Sequence, residues 1–139
     1  MKLTFDYKIP VYSEIPAPYL IIILSDPLNI KEIELSALID TGYDGELLIP
    51  PDIYDKLNLK AFEFSNDVVS IAETASGEHL ELQSASGSIK IKGHDLITII
   101  TIDTHIRCKE VIIGRKFLES YNTLLKGPNK QVQLEFALN

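Results

Sequence analysis

Several residue types are scarce in this chain of 139 residues. It has one cysteine and no tryptophan. A lone thiol forms no internal disulfide, so a disulfide-stapled secreted scaffold is excluded and a reducing, cytoplasmic setting is expected. Basic residues are the minority: 13 Lys and Arg stand against 20 Asp and Glu, a formal charge of −7. With no basic stripe to neutralise phosphates, nucleic acid and anionic membranes are not expected as partners. The longest apolar run, Tyr19 to Leu24, is far too short to cross a bilayer. The opening MKLTFDYKIP carries an early acid and no extended apolar stretch, so it does not read as a signal peptide.

What is present suits a core. Apolar residues make up 45% of the chain, enough to exclude disorder, and the length suits one domain over 1–139. Residues 1–18, punctuated by Pro10, Pro16 and Pro18, are expected to form an N-terminal arm that wraps another part of the fold. The periodicity beyond them is mostly β. YLIIIL (19–24) is a compact strand, and Ile33, Leu35, Ala37 and Ile39 alternate along EIELSALI (32–39), with a turn at LSDPLNIKE between. LLIP (47–50) is a short buried strand. PPDIYDKLNL then reads as a helix of one or two turns, with prolines at its start and acids in its first turn. Strands are expected over VVSIA (68–72), EHLELQ (78–83), GSIKIKG (87–93), DLITIITI (95–102) and EVII (110–113), with SASGS (84–88) as a turn. RKFLESY (115–121) suggests a short helix, and NTLL (122–125) pairs with QVQLEF (131–136) in a final hairpin. The segment SIAETASGEHLEL is a hairpin whose tip, Ala75-Ser76-Gly77, is built of small residues.

One carboxylate stands out. Asp40 ends the apolar strand ALI and opens the triplet Asp40-Thr41-Gly42, which places an ionisable group at a partly desolvated strand end. Gly42 lets the chain turn sharply with its amide toward that carboxylate. Alone, the triplet is an ordinary turn. Its context adds weight: it is followed by Asp44, Gly45 and LLIP, and far along the chain by VIIGRKFL (111–118), an apolar-apolar-Gly segment entering a short helix.

On ALIDTGYDGELL and VIIGRKFL, in that order, the sequence resembles the retropepsin-like aspartic proteases, the single-lobe group that includes retroviral proteases. The likeness covers roughly residues 19–136. It implies a mainly β fold, a single-lobe closed β-barrel with one or two short helices, acting as a C2 homodimer. It implies an aspartic endopeptidase with Asp40 as the catalytic carboxyl. Thr41 would lock the two active-site loops across the dimer, and the Gly42 carbonyl would contact the substrate backbone. Tyr43, Asp44 and Gly45 would face substrate, with Asp44 paired to Arg115. Ile112, Ile113 and Gly114 would pack under the catalytic loop. Residues 72–78, with Thr74, Ala75, Ser76 and Gly77 at the tip, would form the flap over a bound peptide.

The chain departs from the family at two places. Tyr43 stands where a small residue is usual, and its ring would either narrow or block a side-chain pocket. The flap tip has one glycine where retroviral flaps have several.

A carboxyl dyad needs two acids about 3 Å apart sharing one proton. The second IDT, Ile102-Asp103-Thr104, continues into His105 instead of glycine and leads to no further apolar-apolar-Gly segment, so it is not the partner. Symmetry is: a homodimer brings two copies of Asp40 to one axis. No metal or other cofactor is expected. His105 and Cys108 would lie on opposite faces of a strand, and His94, Asp95 and Asp103 add no ligand spacing. Cys108 has no oriented base beside it. The partners expected are a peptide or protein substrate and a second copy of the chain. The contrasting expectation is a barrel that has lost turnover and serves as a dimerisation or peptide-binding module.

Overall fold

A computed structural model describes residues 1–65 and 70–136 of the chain. The elements are β1 (Lys2–Asp6), β2 (Tyr19–Ser25), β3 (Glu32–Ile39), β4 (Leu47–Ile49), α1 (Pro51–Lys56), a 3-10 turn (Leu59–Phe62), β5 (Ser70–Glu73), β6 (His79–Ile91), β7 (Thr98–Thr104), β8 (Ile112–Ile113), α2 (Arg115–Leu118), β9 (Tyr121–Lys126) and β10 (Gln131–Phe136). Residues 68 and 69 of the strand expected over 68–72 lie outside the described residues.

Six strands close on themselves in the order β2-β3-β8-β4-β7-β6, with β6 returning to pair with β2. The fold is therefore mainly β: a closed barrel with two short helices. Its interior is filled by the inward residues of these staves, including Leu20, Ile22, Leu24, Leu47, Ile49 and Ile102, all fully buried. Burying side chains of this size contributes about 1.5–3 kcal/mol each before the entropy cost of ordering them.

Two parallel pairings decide where the candidate site falls. β3 runs parallel to β8, with Leu38 opposite Ile112 and Ile39 opposite Ile113. β4 runs parallel to β7, and antiparallel to β8. ALID and VIIG, distant in sequence, are thereby neighbours in one sheet and end at the same level.

β6 corrects an expectation. EHLELQ and GSIKIKG are not separate strands joined by a turn at SASGS; one 13-residue strand runs through all of them. The small residues serve close packing. A Cβ on Gly87 would lie 3.0 Å from the Ser25 carbonyl oxygen and 3.2 Å from Ile102 Cγ1. The strand pairs with β5 up to Leu82, with β7 from Gln83 to Ile89, and with β2 from Ser88 to Ile91.

The first residues form a strand as well. β1 pairs antiparallel with β10, and β10 with β9, in a second sheet of three strands that carries Phe5, Val132 and Leu134 into the core. Residues 9–16 form a loop closed at its neck by two backbone bonds between Lys8 and Ala17. At the β2–β3 turn the buried Asp26 carboxylate accepts bonds from the amides of Leu28, Ile30 and Lys31, which holds its pKa below the ordinary carboxylate value; burial alone would raise it.

Candidate active site

Asp40 is the first residue past β3. Its amide donates to the Ile113 carbonyl at 2.9 Å, which extends the β3–β8 pairing to the carboxylate itself. The chain then turns: Tyr43 N donates to the Asp40 carbonyl at 3.2 Å, and Gly42 N donates to Asp40 Oδ1 at 2.9 Å. The side chain is thus held by its own loop, with Oδ1 engaged and the residue only partly covered.

The loop is fastened to the start of α2 by backbone. Gly114 N donates to Glu46 O at 3.1 Å, Arg115 N to Tyr43 O at 2.9 Å, and Lys116 N to Gly45 O at 3.2 Å. Gly114 is required by this approach: a Cβ there would stand 2.6 Å from Tyr43 Cδ2 and 2.7 Å from Tyr43 O. Ile113 and Gly114 bond the two ends of the Asp40 loop through their backbone, and Ile112 pairs with Leu38 and Leu48. Arg115 contributes through its amide. The ion pair expected between Arg115 and Asp44 is not formed; among the described residues the ion pairs are Lys92–Glu34 and Arg107–Glu78. Both Asp44 and Arg115 are exposed, and the loop is fastened to α2 by backbone bonds.

Tyr43 does not project into open space. Its hydroxyl donates to Asp103 Oδ2, and its ring lies so close over Gly45 that a Cβ there would sit 2.5 Å from Tyr43 Cζ. Asp103, 6% exposed, also accepts from Ser84 Oγ at 2.6 Å. Burial pushes the Asp103 carboxyl above the usual range, against the lowering effect of the Ser84 and Tyr43 bonds; burial and the Asp103 charge likewise raise the Tyr43 phenol. The second IDT therefore supplies an internal acceptor. Sequence reasoning assigned Asp103 and Ser84 no part in the site. The available signal was akin to the one that flagged Asp40, an acid directly after an apolar run.

Two concavities bear on the expected site, and the loop borders one of them. One, of about 440 Å³, lies beneath the β5–β6 hairpin, between Leu48 and Ile112 on one side and Ala72, Leu80 and Leu82 on the other, with Tyr12 of the 9–16 loop at its edge. Thr74 reaches this cavity; Ala75, Ser76 and Gly77 form the exposed tip beyond it, closed by Gly77 N to Thr74 O at 2.9 Å, with Gly77 at φ +85°. The Asp40–Gly45 loop does not line it. The other, about 310 Å³ and mostly apolar, is a groove bordered by Ile39, Thr41, Arg115, Leu118, Tyr121 and Leu125.

Two of the residues weighed for a metal are engaged elsewhere. His94 stacks edge-on against Phe136 at 3.9 Å, and Cys108 Sγ donates to the Glu110 carbonyl at 3.1 Å.

This fold is similar to that of a retroviral protease. EIAV protease, solved in complex with the inhibitor HBY-793, superposes with a TM-score of 0.50 at 20% identity, over 79% of this chain and 92% of that one. No family model matches the sequence. A protein of Archaeoglobus fulgidus described as uncharacterized is 32% identical, over 78% of this chain and 85% of its own length, and the chain belongs to the same family as that archaeal protein. No helix among the described residues is long and apolar enough to cross a membrane.

Proposed function

We propose that the protein is an aspartic endopeptidase that acts as a C2 homodimer. The observation that carries this is the setting of Asp40: a carboxylate at the common end of two parallel strands, oriented by the Gly42 amide and fastened from behind by Gly114–Lys116. In a dimer, Asp40 and its symmetry mate share one proton. The ionised carboxyl takes a proton from a water molecule, the protonated one donates to the peptide carbonyl oxygen, and the water oxygen adds to the carbonyl carbon. Collapse of the tetrahedral species then breaks the C–N bond as a proton passes to the leaving nitrogen. Neither a covalent intermediate nor a cofactor is required.

A second copy also suits the surface beside the loop. Thr41 and Leu125 border the apolar groove, β9 pairs only with β10 among the described residues, and Leu124 and Leu125 of β9 are each 53% exposed. The cavity beneath the β5–β6 hairpin would take an apolar side chain of an extended peptide, with Thr74 to Gly77 acting as the flap over it. A cytoplasmic setting fits the free Cys108.

The contrasting reading, a peptide-binding or dimerisation module without turnover, draws on Tyr43 and on the flap tip with its one glycine. The first support weakens because the ring folds onto Gly45 and is absent from the cavity lining. The test is incubation of a mixed peptide library with wild type and Asp40→Asn across acidic to neutral pH, alongside sedimentation. Cleavage by a wild-type dimer that vanishes in the variant is the expected result. A monomer that cleaves would sink the symmetric mechanism, and a dimer that binds peptide without cleaving at any pH would favour the module.

A further inference from the structure

The Asp40 loop is pinned at both ends by backbone pairing: Asp40 N to Ile113 O at its entry, and Gly114 N to Glu46 O at its exit. Among the described residues two of its side chains bond the barrel wall: at its middle the Tyr43 hydroxyl donates to Asp103, and at its exit Glu46 Oε1 accepts from the Thr101 amide at 3.1 Å. Asp103 lies on β7 directly opposite Leu48 of β4, one strand across from where the loop leaves. Its other oxygen is taken by Ser84 of β6, so the carboxylate is itself fixed from two sides. The ring occupies space that two glycines leave free, Gly45 on one face and Gly114 at its edge. The backbone on either side of that ring carries the Tyr43 and Gly45 carbonyls, which receive the Arg115 and Lys116 amides.

We propose that Asp103 is a positioning residue for Asp40, acting through the Tyr43 hydroxyl, with Ser84 fixing the acceptor. The kinetic half of this inference rests on the aspartic-protease reading above; the structural half does not. Removing the hydroxyl or changing its acceptor lets the loop relax, and small displacements of a reacting group are costly in rate.

The experiment compares wild type, Tyr43→Phe, Asp103→Asn and the double variant, with Ser84→Ala as a milder probe that leaves ring and carboxyl in place. Two readouts are taken: peptide-cleavage kinetics, and amide hydrogen exchange at Gly42, Arg115 and Lys116. Tyr43→Phe and Asp103→Asn are each expected to lower kcat about tenfold or more with KM within about twofold, Ser84→Ala to lower it less, and the double variant to lose no more than the worse of its two singles. Exchange at the three amides should accelerate by about tenfold while core amides of β2 and β7 keep their protection. Additive kinetic losses, unchanged exchange at those amides, or a uniform loss of protection across the barrel would each overturn the proposal. If wild type cleaves nothing, the protease reading fails, and the exchange pattern alone decides whether Asp103 positions the loop.

Discussion

Replacing Gly114 with alanine adds one methyl group where the structure has no room for it. The Cβ would lie 2.7 Å from the Tyr43 carbonyl oxygen and 2.6 Å from Tyr43 Cδ2, and closer still to the Gly45 carbonyl oxygen. Two of these neighbours are backbone and cannot swing aside, and the third belongs to a ring already anchored by Asp103. Relief requires the Asp40 loop and the start of α2 to separate. That strains or breaks the three bonds at 3.1, 2.9 and 3.2 Å which join Gly114, Arg115 and Lys116 to Glu46, Tyr43 and Gly45. Overpacking of this kind costs about 1–3 kcal/mol, and each lost backbone bond about 1 kcal/mol. A total of about 3–5 kcal/mol is a large share of the roughly 5–15 kcal/mol that holds a domain of this size folded. Gly127→Ala is the internal control, because nothing lies within 4 Å of a Cβ there. Urea unfolding followed by circular dichroism should show the Gly114→Ala midpoint displaced at unchanged m-value, and the control within about 0.5 kcal/mol of wild type. A Gly114→Ala loss below about 1 kcal/mol would refute the close crossing of loop and helix.

Other positions give further tests. Asp26→Ala removes the acceptor of three backbone amides and should cost about 2–3 kcal/mol at neutral pH in the same unfolding assay. Because the folded carboxyl titrates below its ordinary value of 3.8, its contribution is complete above that value and lost as pH falls through the folded pKa; the variant should lack this part of the acid slope. Gly87→Ala, pressed between the Ser25 carbonyl and Ile102, should cost about 1–3 kcal/mol by thermal melting. The Cys108 thiol is pushed up by burial and donates to the Glu110 carbonyl, so at pH 7.5 a disulfide reagent should modify it more slowly than free cysteine, and at the free-cysteine rate once the chain is unfolded in urea.

Much of the barrel was legible because its strands alternate cleanly. Ile33 to Ile39 and the β9–β10 hairpin follow the sequence pattern closely. The meeting of Asp40 with Ile113 and Gly114 was legible only through family resemblance, since no local pattern says that β3 and β8 run side by side. SASGS misled because serine and glycine signal turns locally, whereas here their smallness answers Ile102 on the neighbouring strand. Asp103 was hidden for a related reason. A single acid in TIITIDT gives no indication of its partners, Tyr43 and Ser84, which are brought to it by β4 and β7 pairing and by the run of β6 beside β7. Asp44 and Arg115 carry the right charges, but both face solvent, where an ion pair contributes little.

The unbroken course of β6 has a consequence for anyone who would re-engineer this protein. The hairpin over the cavity is the upper third of a stave whose lower part seals the barrel against β2. It cannot be lifted out as a cassette at SASGS, where a turn would have offered a seam. A chimera that imports a longer or more glycine-rich tip should be joined between Thr74 and Glu78, inside the turn closed by the bond from Thr74 N to Glu78 O. A splice at Ser84 or below would cut the barrel wall and remove the hydroxyl that steadies Asp103.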